Sequence, residues 1–181
     1  MTRIPQITDR DDVPPEAHAV FDAIVASRGS VRGPFTVLMH SPEAAGRVAH
    51  LGSFVRFESS LPSRLREVAA TTVVREYECA YEWAMHAGSA PEAGVSSQTL
   101  AVIRDRAPLD SLPAEEQAVI RFARELVATH HVGDATFAPV HALLGDRGTA
   151  ELTAVIGYYC LIGCVLNALE VPAPAGGAPL P

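Results

Sequence analysis

Lysine is absent: all fourteen basic residues of the 181 are arginine. A Schiff-base lysine, a pyridoxal phosphate anchor and a phosphate-loop lysine of the chain's own are thereby excluded. Cysteine is scarce, with three residues at spacings that suggest no extracellular disulfide framework, so reduced thiols in a reducing compartment are expected. Positive charge is outnumbered, the formal net charge being −7. That balance opposes the attraction on which nucleic-acid and anionic-membrane binding rest. The opening MTRIPQITDRDD has no apolar signal core, and no run of about 18 consecutive apolar residues occurs. Neither nucleic acid nor a membrane is expected as a partner, and the cytoplasm is the expected compartment.

What is present suits a single helical domain over residues 1–181. Hydrophobic residues make up 48% of the chain, enough for a core and an interface. Asp12-Val13-Pro14-Pro15 reads as a helix start capped by Asp12, leading into Val20, Phe21, Ile24 and Val25, with Gly29 or Gly33 as its end. An apolar run, Phe35 to Met39, precedes Ser41-Pro42, which opens a helix toward Phe57. Ser63 starts a long segment stopped by Gly88. It reads as one continuous helix or as two with a bend, since Arg75-Glu76-Tyr77-Glu78 holds no breaker. Further helices are expected from Ser96, from Pro113 to about His130, from Asp134 toward Leu144, and from Thr149 to Leu169. The last is apolar nearly all round and calls for burial on several sides or at a subunit contact. No strand-type alternation competes, so the expected fold class is all-α, with about six to eight helices. Residues 1–11 and 171–181 are expected to be extended or partly disordered tails, the second reading VPAPAGGAPLP.

The chemistry concentrates between Glu67 and His86. In a helix, residues three, four and seven apart share a face, so Cys79, Glu82 and His86 point into one space. A core stripe would carry Leu or Val there. Glu67 joins that face if the helix is unbroken. Glu82, flanked by Tyr81, Trp83, Ala84 and Met85, is suited to acid or base work in apolar surroundings; the plainer reading is a solvated carboxylate paired with His86. His86 suits proton transfer near neutrality and can be oriented by a Glu one turn away, or is a surface residue at a helix end beside Gly88. Cys79 is a nucleophile or a small pocket-lining residue, and a neighbouring carboxylate opposes the thiolate. Tyr81 and Trp83 shape a cavity or simply pack, while His40, Tyr158 or Tyr159 would reach the site only through the fold. Cys160 and Cys164 read as small core residues on one helix face, and His130-His131 as an exposed helix end. Glu82-x-x-x-His86 matches neither His-Glu-x-x-His nor the paired Glu-x-x-His of di-iron bundles. No metal and no cofactor are expected.

The order Glu67, eleven residues, Cys79, two residues, Glu82, three residues, His86 resembles the signature of the carboxymuconolactone decarboxylase and alkylhydroperoxidase D superfamily. The wording C-A-Y-E-W-A-M-H is similar to its decarboxylase-like branch. The similarity extends to Gly33-Pro34-Phe35-Thr36-Val37-Leu38-Met39-His40-Ser41-Pro42-Glu43, to Asp134-Ala135-Thr136-Phe137, to Gly157-Tyr158-Tyr159 and to Leu166-Asn167-Ala168. The peroxidase branch carries Cys-x-x-Cys with His before the second Cys; this chain has Tyr81 and Glu82 there and so lacks the resolving thiol.

The resemblance implies an alkylhydroperoxidase D-like helical bundle that self-associates as a trimer or trimer-based hexamer. It implies a cofactor-independent acid/base enzyme of the carboxy-lyase type that uses Glu82 and His86, with Cys79 and Glu67 as further catalytic candidates. Tyr81, Trp83, His40 and Tyr158 are the substrate-binding candidates, and the substrate expected is a small carboxylated, lactone or carbonyl compound. Two alternatives stand beside it: a Cys79-dependent hydroperoxide reductase served by an external thiol, and a non-catalytic module binding a small ligand.

Overall fold

A computed structural model describes residues 2–180; Met1 and Pro181, the outermost residues of the two expected tails, lie outside the described residues. Eight α-helices and no strand occur among them: α1 His18–Arg28, α2 Pro34–Leu38, α3 Pro42–Ser53, α4 Ser63–Glu76, α5 Ala80–Ser89, α6 Ser97–Arg104, α7 Ala114–Thr129 and α8 Asp134–Ala168. The chain divides into two compact units, Met1–Ser59 with Cys164–Pro172, and Ser60–Gly163 with Ala173–Pro181.

In the first unit, Phe21 and Ile24 of α1 pack with Phe35, Met39, Ala45 and Ala49 in one apolar cluster. Asp12 does not cap α1. It lies in a short 3-10 turn, and a second such turn, Pro15–Ala17, separates it from His18. The reason is Pro14-Pro15: Val13 and Pro14 are extended, as residues preceding proline prefer to be. Gly29 ends α1 at φ 80, its amide donating to the Val25 carbonyl, a left-handed closure that glycine adopts freely. Ser41 stands at the start of α3 without a side-chain capping bond. The helix expected to reach Phe57 changes at Phe54 into a π turn ending at Glu58. The amino-terminal segment is tied down, with Arg3 N–H donating to Leu169 O (3.0 Å) and Ile7 N–H to Thr36 O (2.8 Å).

In the second unit, α4 is the central element, buried at Leu65 and continuously from Val68 to Arg75. Its amino-terminal end is held by polar groups: Arg64 pairs with Glu115 and Glu116 at the start of α7, and the buried Glu116 also accepts from the Thr99 hydroxyl of α6 at 2.7 Å. A buried carboxylate satisfied on both sides fixes the angle between elements better than apolar contact alone.

The helix α8 spans both stretches expected there, broken at Gly145 (φ 65, ψ −175). Its most apolar window has mean hydropathy 1.6 and is half buried, so by length and composition alone it could cross a membrane. Counting consecutive apolar residues passes over it because Thr, Gly, Tyr and Asn are interspersed. Cys164 is exposed and Cys160 half-buried, which corrects the expectation of two core thiols.

Candidate active site

The Glu67–His86 stretch is two helices rather than one. α4 ends in a Schellman turn: Glu78 adopts φ 50, its amide donates to Arg75 O (3.1 Å), and the Cys79 amide donates to Val74 O (2.9 Å). Cys79 then stands at the N-cap of α5 with extended backbone (φ −85, ψ 93), its carbonyl accepting from Trp83 N–H at 2.9 Å. The break needs no glycine, and for that reason Arg75-Glu76-Tyr77-Glu78 carried no visible signal. It replaces the single shared face by a hairpin in which α5 folds back on α4.

That hairpin brings Glu67 to His86 across the helix pair instead of along one axis. His86 Nδ1 lies 2.6 Å from Glu67 Oε1, and Nε2 lies 3.3 Å from Glu82 Oε2. All three side chains are nearly buried, at 12 to 14% exposure. Burial opposes charge on the ring, but hydrogen bonds and proximity to Glu67 and Glu82 outweigh it, pushing His86 up to about 10. Near neutrality the ring is therefore an imidazolium placed between Glu67 and Glu82. A carboxylate can only accept from the Nδ1 proton, so Glu67 fixes the ring and Nε2–H faces Glu82. The carboxyl-terminal end of α5 adds a favourable dipole for the cation, and Glu82 sits in the first turn, where the dipole favours an anion.

Tyr159 completes the wall, its ring standing edge-on to His86 at 4.8 Å between centroids, with Tyr158 edge-on to Tyr159 at 5.3 Å. The tyrosine against the imidazole is thus Tyr159; two adjacent residues on a helix point about 100° apart, and which one faces α5 depends on a register that no local motif reports. Trp83 is buried, its indole N–H without a hydrogen-bond partner, and Tyr81 is half-buried. His40 lies in the first unit, exposed, its Nε2 bonded to the Pro5 carbonyl at 2.8 Å.

Cys79 is fully buried. Burial pushes its thiol up to about 11; the amides of Glu82 and Tyr81 in the first turn of α5 pull the other way, and the Glu82 carboxylate adds to the rise. Repulsion by Glu82 was the expected cause, but loss of hydration is the larger one. Among the described residues no group of three His, Cys, Asp or Glu side chains is arranged to hold a metal ion.

The polypeptide from residue 42 to 125, which contains the whole of α4 and α5, matches the model of the Carboxymuconolactone decarboxylase family. Three solved structures share the fold. One is described as an alkylhydroperoxidase AhpD core, an uncharacterized peroxidase-related protein from Ralstonia eutropha, with 17% identity, TM-score 0.76, and coverage of 96% of this chain and 93% of that one. A putative antioxidant defence protein AhpD from Agrobacterium tumefaciens has 19% identity and TM-score 0.69, covering 80% of this chain and 99% of that one. An uncharacterized peroxidase-related protein from Silicibacter has 19% identity and TM-score 0.70 over 96% and 94% of the two chains. No curated protein matches in sequence. The fold is alkylhydroperoxidase D-like. The match to the family model covers rather less than half of the chain, and the likeness to the solved structures is one of fold.

Proposed function

We propose that the protein is a cofactor-independent acid/base enzyme of the decarboxylase type, acting on a small carboxylated, lactone or carbonyl compound. The observation that carries this reading is the buried Glu67–His86–Glu82 cluster, with a proton held on His86. An imidazolium in a site of low dielectric attracts a substrate carboxylate and stabilises the enolate left when CO2 departs. The Nε2 proton then passes to the carbanion carbon, the C–H bond forming as N–H breaks, and water restores the proton by way of Glu82. Glu67 keeps the ring oriented throughout, since its bond to Nδ1 is the shorter of the two.

Hydroperoxide reduction is the second reading, favoured by the peroxidase-related descriptions of the structural neighbours. It would require Cys79 as a thiolate, and its burial and raised thiol speak against it. We also infer a homo-oligomer, supported by the apolar outer side of α8.

Turnover of carboxylated lactones by Glu82→Gln and Cys79→Ser tests the choice. Glu82→Gln is expected to lower kcat by roughly a hundredfold or more, while Cys79→Ser stays within a few-fold of the wild type. Cys79-dependent consumption of an organic hydroperoxide with an added thiol would overturn the decarboxylase reading. Saturable binding of the lactones without product, unchanged by Glu82→Gln, would recast the protein as a binding module.

A further inference from the structure

The first unit contains an open cleft of about 480 Å³ lined by Pro5, Gln6, Ile7, Asp12, Val13, Pro14, Met39, His40 and Pro42. Its volume falls in the range of small-molecule sites, and its walls are held in place before any ligand arrives. His40 Nε2 bonds the Pro5 carbonyl at 2.8 Å, Gln6 is tied to the Thr36 hydroxyl at 3.1 Å, and Ile7 N–H donates to Thr36 O at 2.8 Å. Three proline rings add rigid apolar surface that carries no amide donor.

The polar groups at this cleft have one character. A carbonyl can only accept, so His40 Nε2 carries a proton toward Pro5, and in that tautomer Nδ1 is an acceptor. Asp12 makes no ion pair among the described residues, and the cation nearest to it in sequence, Arg10, is held by Asp22 through two bonds of 2.9 and 3.1 Å. Asp9 and Asp11 precede it closely in the chain and are exposed, adding to a local field of the same sign as the net charge of −7. Ile7, Val13, Met39 and the prolines supply the apolar remainder. We propose that this cleft is a binding site for a small organic ammonium compound, its apolar body against Met39 and the proline rings and its cationic head at Asp12 and His40.

The test uses the full chain, isotopically labelled, with 2-phenylethylammonium as probe and 2-phenylethanol as its neutral counterpart of the same size. The ammonium is expected to shift the Met39 methyl and the Ile7 and Val13 amides saturably, and the alcohol to bind roughly tenfold more weakly or worse. Asp12→Asn, an exposed change expected to leave the circular dichroism spectrum unaltered, is expected to reduce ammonium affinity by about the same factor while His86→Gln leaves it unchanged. Equal binding of the two probes, an undiminished affinity in Asp12→Asn, perturbation confined to α5, or no shift at millimolar ammonium would each overturn the assignment.

Discussion

His86 is the residue on which the electrostatics turn, and its proton links activity to stability. Its ordinary value is 6.5 and in the fold it is pushed up to about 10. The folded ring holds its proton more tightly than the unfolded one, so its contribution to stability is full below about pH 6.5 and is lost as pH rises toward about 10. Denaturant unfolding of the wild type is expected to weaken across that window, and in Glu67→Gln the decline should be shallower because the shorter of the two ion pairs is gone. A stability flat from pH 7 to 10 would refute the charged ring. Cys79 makes an opposite prediction at the same scale. With its thiol raised to about 11 and no exposed surface, it should react with a maleimide at least about a hundredfold more slowly in the folded chain than in the denaturant-unfolded chain. Peptide mass mapping of a labelling time course reads the ratio directly; equal rates would restore Cys79 as a candidate nucleophile.

Among the elements, the hairpin of α4 and α5 decides whether the site exists, and its turn is made by a non-glycine residue in the left-handed region. Glu78 at φ 50 bears a steric cost of about 1 kcal/mol, and its two ion pairs, at 3.9 and 3.5 Å, involve a carboxylate that is 68% exposed and contribute little. Glu78→Gly is therefore expected to raise stability by up to about 1 kcal/mol without moving the site, as chemical denaturation and an unchanged kcat would report. Gly163 of α8 has the reverse role: a β-carbon there would come within 2.9 Å of the Tyr77 ring, next to the same turn. Gly163→Val should cost about 1–3 kcal/mol. Part of this architecture was legible in the sequence, because the helix starts at Pro42 and Ser97 and the stop at Gly29 depend on local backbone chemistry. The identities of Glu67, Glu82 and His86 were legible as well, as residues too polar for a core stripe. What stayed hidden was their geometry. Spacing along one helix predicts Cys79 beside Glu82 and His86, whereas a turn at Glu78 turns Cys79 into a buried cap and brings Glu67 to the imidazole through space. Tyr159 was equally hidden, since its approach to His86 spans more than seventy residues and rests on packing alone.

At the scale of the whole molecule the outer side of α8 carries the open question of association. Ala150, Thr153, Gly157 and Leu161 are exposed at helical spacing on a helix whose apolar window has mean hydropathy 1.6, and Leu161 alone is 39% exposed. Water is a poor solvent for such a face, while the net charge of −7 discourages indiscriminate aggregation. A second copy offers a surface of matching chemistry and small side chains that permit close helix approach, so self-association is the expected outcome. Light scattering should give a mass of at least twice 19.2 kDa, and Leu161→Glu should reduce it toward the monomer with the circular dichroism spectrum intact. A monomeric wild type would refute this, and cosedimentation with neutral lipid vesicles lost in Leu161→Glu would assign the same face to a membrane. The two outcomes separate because a protein partner of this kind saturates with protein concentration, whereas lipid binding follows the amount of vesicle surface supplied.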